Sequence, residues 1–127
     1  MPEKLLLDCI QKRNTLNEVY AEGEAGPGGA HHDYRVVGHG GDADNPADVI
    51  AHIQFQRGPR NDPASRHGVL DSDLLEMVRD RLKAFQQGEF ATRENALALT
   101  HLEEALLWMA KRADDRAARN VLGTNKV

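Results

Sequence analysis

The chain has 127 residues and a formal net charge of -4 at pH 7, with a pI of about 5.8. A chain of this length fits one domain with a modest hydrophobic core, so we expect a single domain over residues 1–127 that gains stability by associating with further copies. The acidic balance excludes a global positive field that would draw the protein to a nucleic-acid backbone or an anionic membrane, and any anion site must therefore be local.

The first twenty residues are predicted to form an amphipathic helix. Apolar side chains recur among charged ones at Leu5, Leu6, Cys9, Ile10, Leu16 and Val19. The stretch that follows, AEGEAGPGGA, holds four glycines and a proline, a composition that disfavours both helix and strand. We therefore predict an N-terminal helix over residues 1–20 and a glycine-rich linker over residues 21–30.

The same N-terminal segment indicates the cellular compartment. Its apolar run is too short for a signal peptide or a membrane-spanning helix. Cys9 is the single cysteine, so no disulfide can form within the chain. We expect a cytoplasmic protein with an inert, buried thiol at Cys9, because a reactive thiol needs an electropositive and partly open setting.

A β-hairpin is predicted over residues 31–57. HDYRVV and VIAHIQFQ are rich in β-branched and aromatic residues with partial alternation, and the segment GHGGDADNPAD between them has the composition of a chain reversal.

A long antiparallel helical hairpin is predicted over residues 71–118. Its first helix begins at acidic Asp71 and Asp73, and Thr92 is placed to cap the second. Apolar residues at spacings of three and four give each helix an inward face. The second helix also carries Leu97, Leu107 and Trp108 outside that face, which predicts a further subunit against it. The predicted fold class is thus α+β, mostly helical, with a helical hairpin that oligomerises.

Three arginines near the end of the second helix, Arg112, Arg116 and Arg119, form the first candidate anion site. Residues three and four apart share a helix face, so the guanidiniums repel one another unless an anion or carboxylates lie among them, and their forked donors suit phosphate. The alternative is a structural one, in which they pair with Asp114 and Asp115 and interact favourably with the helix C-terminus.

The turn between the two helices is the second candidate. Phe85 and Phe90 flank the sequence QQGE, where a ring could stack on a nucleobase, and Asn95 could hydrogen-bond a base edge. Alternatively, both rings simply fill the open end of the helix pair.

The remaining candidates are weaker. Arg57 and Arg60 in FQRGPR could reach a ligand from a loop, or are two solvated cations. The histidines and aspartates of HHDYRVVGHGGDAD lack the spacing of a known metal motif, so no metal site and no cofactor are predicted. No nucleophile stands in a recognised motif and no carboxylate pair faces a common site, so no catalytic residue is predicted.

Several longer sequence segments, found in a fixed order, show a resemblance to a known family that is more specific than any short motif. HHDYRVV, IQFQRGP, GVLDSDLLEMVRDRLKAFQQGEF, RENALALTHLEEALLWMAKR and RNVLGT together resemble the phage sponge family that defeats Thoeris and CBASS immunity by sequestering signalling nucleotides. The strand hairpin before the helical pair resembles the anti-Thoeris branch of that family. The resemblance implies that glycocyclic ADP-ribose is the ligand, that cyclic dinucleotides and trinucleotides bind related members, and that the protein acts as a dimer or hexamer in the cytoplasm of the host bacterium.

The resemblance also implies roles for individual residues. Phe85 would stack on adenine, and Asn95 would contact the ligand beside it. Arg112 and Arg116 would hold the phosphates, and Arg57 or Arg60 would close the pocket; the candidate set is completed by Phe90 and Arg119. The implied function is a sponge that binds a cyclic nucleotide immune signal without cleaving it. Two alternatives are a cyclic-nucleotide phosphodiesterase and a structural helical dimer without a ligand.

Overall fold

The structure, a computed structural model, describes residues 4–11 and 16–119. The chain divides into two compact units, which we call the sheet unit, Met1–Gly68, and the hairpin unit, Val69–Val127. The first contains four strands and the second two helices, so the α+β class is confirmed. The description "mostly helical" does not hold for the sheet unit, where the described elements are strands and two short 3-10 turns.

The sheet has four antiparallel strands in the order β1-β2-β3-β4. They are β1 (Lys4–Leu6), β2 (Asn17–Glu22), β3 (Asp33–Gly38) and β4 (Val49–Gln54). The hairpin predicted over residues 31–57 is present as β3 and β4, with a bulge in β4 opposite the step from Val36 to Val37. Exposed and half-buried residues alternate along β4, as the period of a half-buried strand requires.

The predicted N-terminal helix is wrong. Within residues 1–20, the structure places β1 and the first part of β2, paired so that Leu5 lies opposite Ala21 and Leu6 opposite Tyr20. The apolar spacing at 5, 6, 9 and 10 suits a helix, but Val19 and Tyr20 favour strand, and pairing with β3 satisfies the backbone of β2 along its whole length. The predicted linker 21–30 is also wrong at its start, because Ala21 and Glu22 are buried inside β2.

The two faces of this sheet differ in character. On one face, Val37 is fully buried beneath the loop that joins β3 to β4, and Ala43 of that loop is buried as well. The same face carries an ion pair between Arg35 and Glu22, and Lys4 Nζ donates to Asp44 Oδ1 of the loop at 2.5 Å. The opposite face is apolar and includes residues from all four strands: Leu5, Val19, Ala21, Tyr34, Val36, Ala51 and Ile53.

One arginine near the end of the sheet unit forms hydrogen bonds to the strand region. Arg66 Nη1 donates to Asp33 Oδ1 at 2.9 Å, while its Nη2 donates to the carbonyl oxygens of His32 and Phe55 at 3.1 and 2.9 Å. Arg57 and Arg66 pair as an isolated antiparallel bridge at the base of the intervening loop. A single guanidinium therefore joins β3, the residue after β4 and the loop that follows.

The hairpin unit has two helices, α1 (Asp71–Gln86) and α2 (Arg93–Ala118), at the predicted positions. Asp73 Oδ2 accepts from the backbone N–H of Leu70 at 2.8 Å, and Thr92 Oγ1 accepts from that of Asn95 at 3.0 Å. These contacts satisfy backbone donors that a helix start otherwise leaves free. Arg79 Nε lies 2.8 Å from Glu103 Oε2, which holds the two antiparallel helices together near their middle.

The outward face of α2 carries exposed apolar side chains among charged ones. Leu107 is 71% exposed and Trp108 is 63% exposed, and Leu97 lies on the same side of the helix. With 3.6 residues per turn, positions 97, 104, 108 and 115 fall along one line opposite the half-buried Leu99, Leu102 and Leu106. We call the surface formed by Leu97, Leu107 and Trp108 the outer patch.

Candidate ligand-binding site

Two aromatic rings meet where α1 turns into α2. The centroids of Phe85 and Phe90 are 6.3 Å apart and their planes are at 83°, an edge-to-face arrangement. Phe85 is half-buried, whereas Phe90 is 70% exposed. The rings therefore do not merely fill the end of the helix pair, since a large aromatic surface remains open to solvent.

The turn beside these rings is held by side-chain hydrogen bonds. Gln86 Nε2 donates to the carbonyl oxygen of Thr92 at 3.1 Å, and Gln86 Oε1 accepts from the Thr92 N–H at 3.0 Å. Asn95 Nδ2 donates to the carbonyl oxygen of Phe90 at 3.2 Å. These contacts fix the positions of Phe90 and Asn95 before any ligand arrives, which lowers the entropic cost of binding. We call Phe85, Phe90 and Asn95 the aromatic corner.

A second polar feature lies near the other end of α2. Arg112, Arg116 and Arg119 line an open depression of about 500 Å³ together with Asp115 and Ala118. We call the three arginines the arginine end. Arg116 is 8% exposed, an unusual degree of burial for an arginine, while Arg112 is exposed.

One carboxylate near these arginines is paired with a lysine. Asp115 Oδ2 lies 3.3 Å from Lys111 Nζ, one turn earlier on the helix. Arg116 and Arg119 each have an interaction partner within the chain. The fork geometry of the guanidiniums suits a phosphate placed in the depression.

The aromatic corner and the arginine end do not meet within one chain. Asn95 of the aromatic corner and Arg112 of the arginine end both belong to α2, which runs without interruption from Arg93 to Ala118. At 1.5 Å per residue, Asn95 and Arg112 are about 25 Å apart along the helix axis, beyond the span of one nucleotide. The structure thus brings together Phe85, Phe90 and Asn95, and separately Arg112, Arg116 and Arg119.

The two remaining candidates lie in the sheet unit. Arg57 is exposed, and its guanidinium packs close to Gly26, where the ring of His32 also lies. A Cβ at Gly26 would approach His32 Nδ1 to 2.7 Å, so the glycine is required for this packing. Arg60 is exposed in the loop between Arg57 and Arg66. Neither arginine has a carboxylate partner among residues 4–11 and 16–119.

One residue at the aromatic corner was missed by sequence reasoning. The Cζ of Arg81 lies 5.3 Å from the centroid of the Phe85 ring, within the range of a cation–π contact. The available signal was its spacing, because a residue four positions before Phe85 on a helix lies over the same face. Arg66 was also missed, and nothing in the local sequence marks it.

Residues 4–11 and 16–119 contain no group of three histidine, cysteine or acidic side chains close enough to share a metal ion. In the same ranges, no helix combines the length and the apolar character needed to cross a bilayer.

Comparison with known proteins places the chain in a class of proteins with a helical-hairpin domain. Residues 47–114, more than half of the chain, match the family described as "Acb2/Tad1, hairpin domain". The chain is also 46% identical over 80 residues to a protein called "Thoeris anti-defense 1" from Bacillus phage SBSphiJ7; the match covers 63% of this chain and 56% of that relative. The chain therefore belongs to the Acb2/Tad1 hairpin family, and it spans little more than half the length of this relative.

Proposed function

We propose that the protein is a sponge that captures a cyclic nucleotide immune signal and inhibits bacterial anti-phage defence, with glycocyclic ADP-ribose as the preferred ligand. Membership of the family and the name of the 46% identical relative support an anti-Thoeris role. Cyclic dinucleotides and trinucleotides are the further ligands to test. Binding takes place without bond cleavage, in the cytoplasm of the infected host.

The observation that carries this proposal is the division of the candidate site between the two ends of α2. Stacking on Phe85 and hydrogen bonding near Asn95 suit a nucleobase, whereas Arg112 and Arg116 suit phosphates. A single chain holds these groups about 25 Å apart. Two hairpins related by a two-fold axis and lying antiparallel would place the aromatic corner of each beside the arginine end of the other.

The outer patch supports such an assembly. Trp108 exposes a large apolar surface on the side of α2 opposite its half-buried leucines, and Leu107 is exposed on the flank beside it. An exposed patch of this kind marks an interaction surface, and a two-fold interface buries the same patch on both copies. We propose that the homo-oligomer, a dimer or a higher assembly such as a hexamer, forms through this patch and completes two equivalent binding sites.

The first test identifies the ligand and its fate. The protein is incubated with glycocyclic ADP-ribose isomers and cyclic oligonucleotides, free ligand is removed, and the material released by heating is identified by mass. We expect intact ligand in an amount no greater than that of the protein. Recovery of linear or deglycosylated products in excess of the protein would contradict the sponge and favour the phosphodiesterase alternative.

The second test measures how much the arginine end contributes to ligand binding. Replacing Arg112 or Arg116 by alanine should weaken binding by about 1.5 to 3 kcal/mol, the scale of a hydrogen bond to a charged group. Since Arg116 is buried, the Arg112→Ala protein distinguishes lost binding from lost folding. Lys83→Ala removes a charge from an exposed position on α1 and should bind as the parent does.

The third test asks whether the site is shared between copies. Phe85→Ala and Arg112→Ala are each expected to disable every site of a homo-oligomer. When the two proteins are mixed and allowed to exchange subunits, a mixed pair carries one intact site and one doubly altered site, because the partners contribute different ends. Recovery of binding on mixing supports the shared site, whereas a site formed within one chain predicts no recovery.

A further inference from the structure

The guanidinium of Arg81 lies above the Phe85 ring. Arg81 lies one helical turn before Phe85, and its Cζ is 5.3 Å from the ring centroid. Its neighbour on α1, Arg79, is paired with Glu103 at 2.8 Å and with Glu76 at 3.6 Å. Among residues 4–11 and 16–119, Arg81 has no such carboxylate partner, so the ring is its contact.

The position of this guanidinium matters because a nucleobase needs the same surface. Stacking uses the face of an aromatic ring, and a cation over the face occupies it. Phe90 also packs against Phe85 with its plane at 83° to that ring, which limits the ring surface left for a base. A base that stacks on the face of Phe85 covered by Arg81 must displace the guanidinium, which then needs a new partner for its charge.

A phosphate supplies that partner, and a neutral ligand does not. Guanidinium forms strong, forked hydrogen bonds to phosphate oxygens, and arginine is flexible enough to leave the ring and reach a group attached to the stacked base. A nucleoside removes the cation–π contact without replacing it. The arrangement of Arg81 and Phe85 thus disfavours the binding of neutral adenine compounds relative to anionic ones.

We propose that Arg81 is a specificity-determining residue of the binding site: it covers the Phe85 ring in the free protein and moves to a phosphate of the ligand when adenine stacks. The proposal rests on the proposed function and deepens it, since it assigns the rejection of uncharged nucleosides to a residue outside the arginine end. The site then contacts phosphate both from α1 beside the base and from the arginines near the end of α2.

The experiment compares two ligands and two variants. Binding of glycocyclic ADP-ribose and of adenosine is measured for the wild type, Arg81→Gln and Lys83→Gln. Lys83 is the matched control because it is exposed, lies on the same helix and carries the same charge, but points about 200° away around the helix. We expect Arg81→Gln to weaken glycocyclic ADP-ribose binding roughly tenfold, the loss of one charge-assisted contact, while adenosine binding is unchanged or stronger.

A second readout follows Arg81 in the free protein. Ring currents from Phe85 should shift the Arg81 side-chain NMR signals upfield, and addition of glycocyclic ADP-ribose should remove that shift. If Arg81 has a purely structural role, Arg81→Gln should weaken the binding of both ligands equally and leave the ratio of their affinities unchanged. If the wild type binds glycocyclic ADP-ribose but Arg81→Gln leaves the ratio of the two ligand affinities unchanged, the role of Arg81 is contradicted and the proposed function is not. Failure of the wild type to bind it overturns the choice of ligand in the proposed function as well.

Discussion

The sheet unit and the hairpin unit differ in how far their ion pairs are shielded from solvent. In the sheet unit, Arg35 pairs with Glu22, Lys4 with Asp44 and Arg66 with Asp33, and each pair joins segments distant in sequence through at least one largely buried side chain. In the hairpin unit, the pairs of Arg79 with Glu103 and of Lys111 with Asp115 are more exposed, and the outer patch and Phe90 also face solvent. Shielded ion pairs between distant segments help to hold the shape of the sheet unit, whereas the exposed pairs of the hairpin unit contribute little to stability and leave its rings and apolar side chains open to another molecule.

The difference also shows in what lies over two apolar positions, Val37 of the sheet unit and Trp108 of the hairpin unit. The loop between β3 and β4 folds over the sheet and buries Val37, with Gly41 lying so close that a Cβ there would meet Val37 Cγ1 at 2.7 Å. In contrast, the described residues provide no cover for Trp108 or its neighbour Leu107. Substitutions at Trp108, Arg66 and Glu18 test this contrast.

The largest effect is expected at Trp108. If the outer patch is the interface between copies, Trp108→Ala should weaken association by about 2 to 4 kcal/mol, the range of an interface residue that dominates binding energy. Sedimentation at micromolar concentration should show the wild type as an oligomer and the variant shifted toward a monomer. Trp108→Phe keeps an aromatic side chain and should associate more strongly than the alanine variant. A wild-type protein that sediments as a stable 14 kDa species would contradict the prediction.

An intermediate effect is expected at Arg66, within the sheet unit. Arg66→Ala removes the contact to Asp33 and leaves the carbonyl oxygens of His32 and Phe55 without their donor. We expect the free energy of unfolding to fall by about 2 to 3 kcal/mol, since hydrogen bonds to a charged group are among the stronger ones. Urea unfolding measures the loss, and hydrogen exchange should locate it in β3 and β4.

Arg79→Ala is the control for this measurement. Its contact with Glu103 is more exposed and lies in the hairpin unit, so it should cost at most about 1 kcal/mol. An Arg66 variant no less stable than the Arg79 variant would show that the internal charge pairs do not support the sheet.

The smallest effect is a change in pH dependence at Glu18. The N–H of Gly40 donates to Glu18 Oε1 at 2.7 Å, and this hydrogen bond holds the pKa of Glu18 below its ordinary value of 4.5. Because the folded state favours the ionised carboxylate, the resulting stability is present above that ordinary value and is lost as the pH falls through the lowered pKa.

Acid unfolding of the wild type and of Glu18→Gln measures this contribution. The variant should lose less stability than the wild type as the pH falls below about 4.5, where the ordinary carboxylate begins to protonate. Glu24→Gln, at an exposed position in the connection after β2, should retain the wild-type dependence. Parallel acid-unfolding curves for the wild type and Glu18→Gln would refute a role for the Gly40 contact.

The hairpin unit was predictable because the sequence signals for its helices are local. Spacings of three and four place Leu75, Val78 and Leu82 on one face of α1, and Thr92 supplies a cap at the start of α2. Each of these signals lies within one helix or one turn. The same is true of β4, where alternation over six residues indicates a half-buried strand.

The N-terminal segment was mispredicted because its structure depends on distant residues. The short apolar run around Leu5 and Leu6 fits a helical period, yet its backbone pairs with β2, whose other edge pairs with β3. Strand pairing adds hydrogen bonds between segments far apart in sequence, and no local pattern records which segments meet.

The candidate site was likewise predictable in part from the sequence. The residue types and their spacing suggested aromatic stacking at Phe85 and phosphate binding at Arg112, and the length of α2 already implied that the two are far apart. The contact of Arg81 with the Phe85 ring depends on the rotamer of a long side chain, which the sequence does not specify.

The helical hairpin, the strands β3 and β4 and the family resemblance, confirmed over residues 47–114, were predictable from the sequence, since periodicity, caps and long motifs are properties of the chain itself. That β1 and β2 complete a four-stranded sheet, and that Arg66 joins three of its segments, followed only from the folded structure. Those features arise from contacts between residues far apart in sequence, and hydrogen bonds form only at short range.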